Sequence, residues 1–397
     1  MNTSATASGA ATLALLGGAP AIPVLQEDLF AWPIVTDEDI AAVTEVLRAR
    51  AMSGTEITKA FEKEWAAYNG TRYALGTCNG TAALLAAMWA CGVGAGDEVI
   101  CPGLTYWASA LPALQLGAAV HFADVDPETL CLDPNDIEHR LSPRTRCIVV
   151  VNYAGHPADL DPILAIANRH GIKVIEDNSH AHGSLYKGRM TGTLGHIAAM
   201  SMMSGKGFAV GEAGMIVTND RLLYERCVAY GHYERTGLAS NFNVADAQVT
   251  DAGLVRFAGA PLGGCKHRMN QTCAAMGRVQ LKHFPARMRE IQAAMGRFWD
   301  LLADVPGLIL PVDARPAALT WSDGTVVRNR IQTFDATFGL EKTDPITLHR
   351  ETATGMTTLT VPSQAAVPVF DDTDPMAYYD PANPGGSVIV AGTGTTI

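Results

Sequence analysis

The sequence lacks the features that mark several large classes of proteins. Its eight cysteines include no CxxC pair, and its 29 lysines and arginines form no basic cluster beside 40 aspartates and glutamates. The net charge of −11 therefore argues against nucleic acid or an anionic membrane surface as a partner. Because several cysteines lie inside apolar runs, we expect reduced, buried thiols and a cytoplasmic location.

The first residues, MNTSATASGAATLALLGG, also lack the basic segment that opens a signal peptide. We predict an N-terminal extension over residues 1–30. The longest uncharged stretch, GTCNGTAALLAAMWACGVGAG, contains Asn79, Thr81 and several glycines. It fits a buried helix and its flanks better than a membrane span, so we expect a soluble protein.

What the sequence does have is enough apolar length for more than one compact unit: 397 residues, 48% of them hydrophobic. We predict a large domain over residues 31–264. A smaller C-terminal domain follows over residues 265–397, and its tail after about residue 318 is atypical because it is short, polar and proline-rich.

Short β-branched runs alternate with helical segments from about residue 75 to 220. DEVICPG, AAVHFADVD, RCIVVVNYAG and IKVIEDNSHAHG are typical of strands, and GEAGMIVTND adds one more. YWASALPALQLG and DLDPILAIANRHG are typical of helices. The alternation predicts an α/β fold with a mostly parallel central sheet and helices on both faces. Beyond GGCKHRMNQTCAAMGRVQLKHF we predict a long helix, ARMREIQAAMGRFWDLLADV.

Polar clusters stand where these strands end, in CPGLTY, NYAGHP and EDNSHAHG. Ligands of such sheets bind at the carboxyl ends of the strands. We therefore expect the functional residues to gather at that edge.

One lysine, Lys206, lies among glycines, methionines and small residues in SMMSGKGFAVGEAG. An ammonium group among apolar neighbours costs free energy unless its charge is used or suppressed. Lys206 therefore either reaches solvent or is held in a pocket as a reactive amine. The segment alone leaves both interpretations open.

A candidate anion site precedes the apolar helix in TCNGTAAL, which contains Asn79, Gly80 and Thr81. Backbone N–H groups at a helix N-terminus, with a threonine hydroxyl, suit a phosphate. An ordinary helix cap has the same sequence, so the motif by itself does not separate the two.

A carboxylate, Asp177, ends a strand in VIEDNSHAHG and is followed by His180 and His182. A carboxylate in this position suits the protonated ring nitrogen of pyridoxal phosphate. A loop cap and a metal site are the alternatives. We expect no metal, because the short histidine spacing has no supporting cysteine or carboxylate cluster.

Together, a phosphate anchor, a carboxylate and a lysine are what a pyridoxal-phosphate enzyme requires. In NGTAALLAAMWACGVGAGDEVICPGLTY, IEDNSHAHGSLYKGRMTGTLGH and SMMSGKGFAVGEAGMIVTND the chain resembles the DegT/DnrJ/EryC1/StrS sugar aminotransferases. These are fold type I pyridoxal-phosphate enzymes with a large domain and a smaller C-terminal domain. The resemblance runs from LLGGAPAI near residue 15 to DLLADVPGL near residue 308.

The resemblance implies an aminotransferase whose cofactor is pyridoxal 5'-phosphate. Lys206 would form the Schiff base with the cofactor and later move the proton between substrate carbon and cofactor. Asp177 would pair with the ring nitrogen. L-glutamine or L-glutamate would be the amino donor, and the ketone of a cyclitol or keto-sugar would be the acceptor.

The resemblance also implies the remaining cofactor contacts. Gly80, Thr81 and Ser201 would hold the phosphate, and Tyr106 would stack on the ring in preference to the adjacent Trp107. His180 and Lys266 stand where many members carry glutamine and asparagine, as in the branch that aminates scyllo-inosose. Lys266 lies in a loop that reaches the phosphate of the neighbouring subunit, which implies a homodimer with shared active sites.

Three alternatives stay open at this point. The acceptor can be a nucleotide-linked keto-sugar instead of a free cyclitol. The chain can be a catalytically impaired pyridoxal-phosphate protein with a regulatory role, an interpretation that the atypical tail supports. It can also be a binding protein without a cofactor, in which TCNGTAAL is a plain cap and Lys206 a surface residue.

Overall fold

The computed structural model of the chain describes residues 18–19, 31–127, 129–235, 249, 251–257, 260, 262–302, 346–352 and 355–361. Apart from residues 18–19, the predicted N-terminal extension over residues 1–30 lies outside the described residues. So does most of the tail after residue 318, of which two strands are described.

The helices of the described part are α1 (Asp37–Arg48), α2 (Glu56–Asn69), α3 (Gly80–Ala90), α4 (Pro112–Gln115), α5 (Pro134–Arg140), α6 (Leu160–His170), α7 (Arg221–Gly231), α8 (Ala252–Val255) and α9 (Gln271–Leu302). The strands are β1 (Tyr73–Thr77), β2 (Glu98–Pro102), β3 (Ala119–Ala123), β4 (Thr145–Val151), β5 (Lys173–Asp177), β6 (Leu185–Tyr186), β7 (Arg189–Met190), β8 (Ile197–Ser201), β9 (Gly214–Thr218), β10 (Ile346–Thr352) and β11 (Gly355–Val361).

Seven strands form the central sheet, in the order β1-β9-β8-β5-β4-β2-β3. β3, β2, β4, β5 and β8 run parallel. β9 runs antiparallel to both of its neighbours, β1 and β8. The prediction of an α/β fold with a mostly parallel sheet is confirmed. β6 and β7 form a separate hairpin, as do β10 and β11.

Helices cover both faces of this sheet, because each buried strand presents apolar side chains on both sides. α3, α4 and α7 pack on one face, where the core includes Leu75, Val149 and Ile175. On the other face α5 and α6 cover one half, and α2 and α9 cover the other. All the residues of α3 except Thr81 and Trp89 are buried, which fits the prediction of a buried helix there.

The long C-terminal helix begins earlier than predicted. α9 starts at Gln271, whereas the sequence placed the start after Phe284, and Pro285 lies inside the helix. A proline usually breaks a helix because it lacks an N–H group. Here Ala274 and Phe284 are fully buried in the cluster shared with α2, so tertiary packing holds the turns before the proline.

The structure also bears on the predictions made for the cysteines and for a membrane span. All eight cysteines are free, and five of them are buried. Within the described ranges, no helix combines the length and the apolar character needed to cross a membrane.

Candidate active site

Asp177 is the last residue of β5 and only 4% of it is exposed. Its Oδ2 accepts a hydrogen bond of 2.6 Å from the Ser109 hydroxyl. Its Oδ1 accepts one of 3.1 Å from the backbone N–H of Ser179. The carboxylate therefore lies at the carboxyl edge of the sheet, as the sequence predicted, with one donor on each oxygen.

Ser201 ends β8, the next strand of the sheet, and meets the start of α3. Its backbone N–H donates to the Ser179 hydroxyl at 2.9 Å, so one serine joins Ser201 to Asp177. A methyl group added to Gly80 would lie 2.6 Å from the Ser201 Cβ and 2.8 Å from its Cα. Glycine is required at residue 80 because the two backbones approach so closely.

The first turn of α3 is both a helix cap and a candidate anion site. The Asn79 side chain accepts the Ala82 N–H at 2.8 Å, which is the capping bond. Among the described residues, the N–H groups of Gly80 and Thr81 have no hydrogen-bond partner. The cap thus leaves two amides available for an anion at the positive end of the helix dipole.

The loop that carries Lys206 is tied down on both sides. Lys206 donates its N–H to Met203 O at 2.9 Å and accepts a 3.0 Å bond from Trp32 Nε1 at its own carbonyl. Two residues later, Phe208 is buried and its ring centroid lies 4.7 Å from that of Trp65. The apolar residues of this segment therefore hold the loop in place, whereas the lysine side chain takes no part in that packing.

The Lys206 side chain is partly buried, and its Nζ makes no hydrogen bond or ion pair with any described residue. Burial lowers the pKa of Lys206, and the negative charge of Asp177 opposes this shift. A larger fraction of its amine is therefore neutral near physiological pH than for an exposed lysine. This arrangement favours a reactive amine held near Asp177 over a solvated surface lysine.

The two histidines after Asp177 have different environments. His180 stands at the exposed side, where its Nδ1 accepts the Ala154 N–H at 3.4 Å. Partial burial lowers the pKa of His180, and the nearby Lys206 charge lowers it further. His182 is buried behind it, with its ring 6.1 Å from that of Trp65. Burial lowers the pKa of His182 to about 3, so this imidazole is neutral.

Tyr106 and Lys266 belong to two other segments of the chain. Tyr106 is 52% exposed and directly precedes the 3₁₀ turn Trp107–Ser109, whose last residue bonds Asp177. Lys266 is exposed, with its Nζ 5.9 Å from the centre of the Tyr233 ring. Within the described part of the chain, no hydrogen bond or ion pair joins Lys266 to Asp177 or Lys206. The roles implied for the predicted site residues stay predictions.

Sequence reasoning missed three residues that organise the site: Ser109, Ser179 and Trp32. Ser179 lies in the quoted motif EDNSHAHG, two residues after Asp177, and its position was a usable signal. Ser109 and Trp32 reach Asp177 and Lys206 from distant parts of the chain. A serine in ASAL carries no local mark of such a contact.

The residues fit pyridoxal phosphate in three respects. Two unpartnered amides start α3, a buried carboxylate accepts hydrogen bonds at the sheet edge, and a partly buried lysine has a lowered pKa. A mostly parallel α/β sheet that carries this set at its carboxyl edge defines the class of fold type I pyridoxal-phosphate enzymes.

Comparison with known proteins identifies the family within that class. The chain belongs to the DegT/DnrJ/EryC1/StrS aminotransferase family, whose model matches residues 33–338. This match extends past residue 308, near which the resemblance of motifs ended, and into the tail that was predicted to be atypical after about residue 318. Members of the family are pyridoxal-phosphate-dependent aminotransferases, and the enzyme prediction is confirmed at this level.

Relatives of two substrate types are similar to the chain. GDP-perosamine synthase of Escherichia coli O157:H7 is 38% identical over 275 residues, or 68% of this chain and 69% of that protein. L-glutamine:2-deoxy-scyllo-inosose aminotransferase of Micromonospora echinospora is 42% identical over 221 residues. That alignment covers 54% of this chain and 52% of the relative, about half the length of each.

The fold is similar to that of a solved aminotransferase, and the tail is similar to a different family. The aminotransferase from Psychrobacter cryohalolentis matches the fold with a TM-score of 0.63 and 32% identity, over 78% of this chain and 82% of that one. Residues 304–397 match a different model, the VEG domain of immune inhibitor A-like metallopeptidases. The atypical tail is therefore similar to proteins outside the aminotransferase family.

Proposed function

We propose that this chain transfers an amino group from L-glutamine or L-glutamate to a ketone of a scyllo-inosose-like cyclitol or a keto-sugar, with pyridoxal 5'-phosphate as cofactor. The observation that carries the proposal is the amine of Lys206. It is partly buried, has a lowered pKa, and lies within the electrostatic reach of the buried Asp177. A structural lysine would gain nothing from that environment.

When bound, pyridoxal phosphate supplies an aldehyde for condensation with amines and a ring that accepts the electrons of the broken C–H bond. In the proposal, the neutral amine of Lys206 holds this group and later carries the proton to and from the reacting carbon. Asp177 keeps a proton on the ring nitrogen, because an ionised carboxylate stabilises a positive charge beside it.

The remaining predicted residues bind and orient the cofactor. The amides of Gly80 and Thr81 and the hydroxyl of Ser201 hold its phosphate at the start of α3. Tyr106 places its exposed ring on one face of the cofactor ring. Lys266 reaches the phosphate of a second copy, so the proposal includes a homodimer.

Two acceptor classes compete within the proposal. The scyllo-inosose relative has the higher identity over the residues it matches, and His180 and Lys266 favour that branch. The GDP-perosamine relative covers more of the chain, which supports a nucleotide-linked keto-sugar. A regulatory protein that has lost catalysis is the remaining alternative. A cytoplasmic location and the division at residue 265 belong to the same proposal.

An absorbance spectrum with pyridoxal phosphate, recorded before and after L-glutamine and L-glutamate, is the first test. We expect the band of the lysine-bound cofactor to appear and then to be lost to the amino form when a donor is added. Lys206→Ala should bind cofactor more weakly, without that band. Lys187→Ala is the matched control, because Lys187 pairs with Asp161 on the exposed surface.

Return of the first band on adding a ketone then identifies the acceptor class. Free keto-cyclitols and nucleotide-linked keto-sugars are added separately to the donor-treated protein. A protein that binds cofactor but ignores both donors would favour the regulatory alternative. A protein that takes up no cofactor would end the proposal.

A further inference from the structure

Ser109 directs its hydroxyl to Asp177 instead of to its own helical turn. It ends the 3₁₀ turn Trp107–Ser109 and is only 1% exposed. A serine in a helical turn commonly bonds a carbonyl oxygen three or four residues earlier. Here the hydroxyl donates at 2.6 Å to Asp177 Oδ2, a residue of another strand.

A second hydroxyl stands behind the first. Thr105 Oγ1 lies 2.7 Å from Ser109 Oγ. Since an ionised carboxylate only accepts hydrogen bonds, the single hydroxyl proton of Ser109 goes to Asp177. Thr105 must then be the donor to Ser109. The direction Thr105 to Ser109 to Asp177 follows from this count of protons.

The second carboxylate oxygen is held from the other side. Asp177 Oδ1 accepts the Ser179 N–H at 3.1 Å, and the Ser179 hydroxyl accepts the Ser201 N–H at 2.9 Å. Donors on both oxygens fix the plane of the carboxylate. Ser179 lies in the loop after β5 and Ser201 ends β8, whereas Ser109 and Thr105 come from the segment after β2.

We propose that Ser109 and Thr105 are positioning residues that orient the Asp177 carboxylate for the ring nitrogen of the cofactor. This inference rests on the proposed function. The pair acts through Asp177 and needs no contact of its own with cofactor or substrate. A donated proton at Oδ2 spreads the carboxylate charge and leaves the remaining lone pairs for the ring N–H.

The test compares four variants by their affinity for two probes in the absence of substrate. One probe is pyridoxal phosphate. The other is a phosphorylated benzene analogue that has CH in place of the ring nitrogen. Ser109→Ala and Thr105→Val remove the two hydroxyls in turn. Ser142→Ala is the matched control, because Ser142 also donates to a buried carboxylate, that of Glu98, in another part of the sheet.

We expect Ser109→Ala to weaken binding of pyridoxal phosphate by about tenfold, because a carboxylate that is no longer oriented makes a weaker charged hydrogen bond to the ring nitrogen. Binding of the benzene analogue should change much less, since it has no ring nitrogen for Asp177 to bind. Thr105→Val should also weaken binding of pyridoxal phosphate more than binding of the benzene analogue, but by a smaller factor than Ser109→Ala. Ser142→Ala should leave both unchanged. Ser109→Thr, which keeps the hydroxyl, should recover the preference for the pyridine probe.

Equal losses for the two probes in Ser109→Ala would show a purely structural role and overturn the inference. Unchanged affinities in a folded Ser109→Ala protein would overturn it as well. If Ser109→Ala does not fold, Thr105→Val decides, because Thr105 is only partly buried. A wild-type protein that binds neither probe would refute the proposed function, an outcome distinct from all of these.

Discussion

The contact between Gly80 and Ser201 gives a prediction in which two physical effects have opposite signs. Gly80 is the first residue of α3, and alanine has a higher helix propensity than glycine by about 0.5–1 kcal/mol. Propensity alone therefore predicts that Gly80→Ala stabilises the protein. The methyl group would, however, lie 2.6 Å from the Ser201 Cβ and 2.8 Å from the Ser201 Cα.

The size of the overlap decides between the two effects. An ordinary contact begins at 3.4 Å, so the start of α3 and the end of β8 must separate by about 0.8 Å. Two of the atoms in the way, the Ser201 Cα and N, are backbone and cannot rotate aside. Overpacking of a closed site costs about 1–3 kcal/mol, more than the gain in propensity. We expect Gly80→Ala to lower the free energy of unfolding.

Urea unfolding of the cofactor-free protein measures this free energy, with Gly296→Ala as the control. Gly296 lies in α9, and a methyl group there has no atom within 4 Å. Gly296→Ala should therefore raise stability by about 0.5–1 kcal/mol. If Gly80→Ala stabilised the protein as much as Gly296→Ala does, the close approach of α3 to β8 would be wrong.

Three further predictions concern charges. In the cofactor-free protein, an acylating reagent should modify Lys206 faster than exposed lysines below pH 10, because burial lowers the pKa of Lys206. Quantitative mass spectrometry of the labelled peptides measures the rate. A rate equal to that of exposed lysines would contradict the prediction. Burial lowers the pKa of His182 to about 3, so its contribution to stability is present above the unfolded value of 6.5 and is lost as the pH falls toward 3. Between pH 6.5 and 3, the free energy of unfolding should fall less steeply with falling pH in His182→Phe, by up to about 1.4 kcal/mol per pH unit. An unchanged slope would contradict the lowered pKa of His182. Arg235→Ala should cost about 3–5 kcal/mol in urea unfolding, because it leaves Glu62 buried without its partner, whereas Arg169→Ala should cost at most about 1 kcal/mol because its ion pair is exposed. Equal losses in the two variants would contradict that assignment.

Local pattern was sufficient to predict most of the α/β scaffold. The apolar run of β4 and the helix α6, which ends at the left-handed Gly171, each carry their signal within a few residues. The antiparallel direction of β9 has no such signal, because strand direction depends on the path of the loop before it. The start of α9 was misplaced because Pro285 is a local breaker whose effect is overcome by tertiary packing.

Some residues of the candidate site could likewise be predicted from local sequence, and others could not. Asp177, Lys206 and Gly80 stand in motifs whose composition is unusual for their surroundings, and the structure brings them to one edge of the sheet. Ser109 lies in an ordinary small-residue segment, and only the packing of that segment against β5 gives it a partner. Contacts between distant segments are what a single sequence does not encode locally.

The position of β9 in the sheet has a consequence for the order of folding. β1 precedes the candidate anion site in the chain, but its strand partner is β9, and the register joins Tyr73 to Thr218. A growing chain therefore exposes β1 and α3 well before the strand that completes them emerges from the ribosome. Closing so long a loop carries an entropic cost that local helices do not have, which slows assembly of this edge of the sheet. The start of α3, with the candidate anion site, is therefore fully packed on the sheet only after β9 has been synthesised.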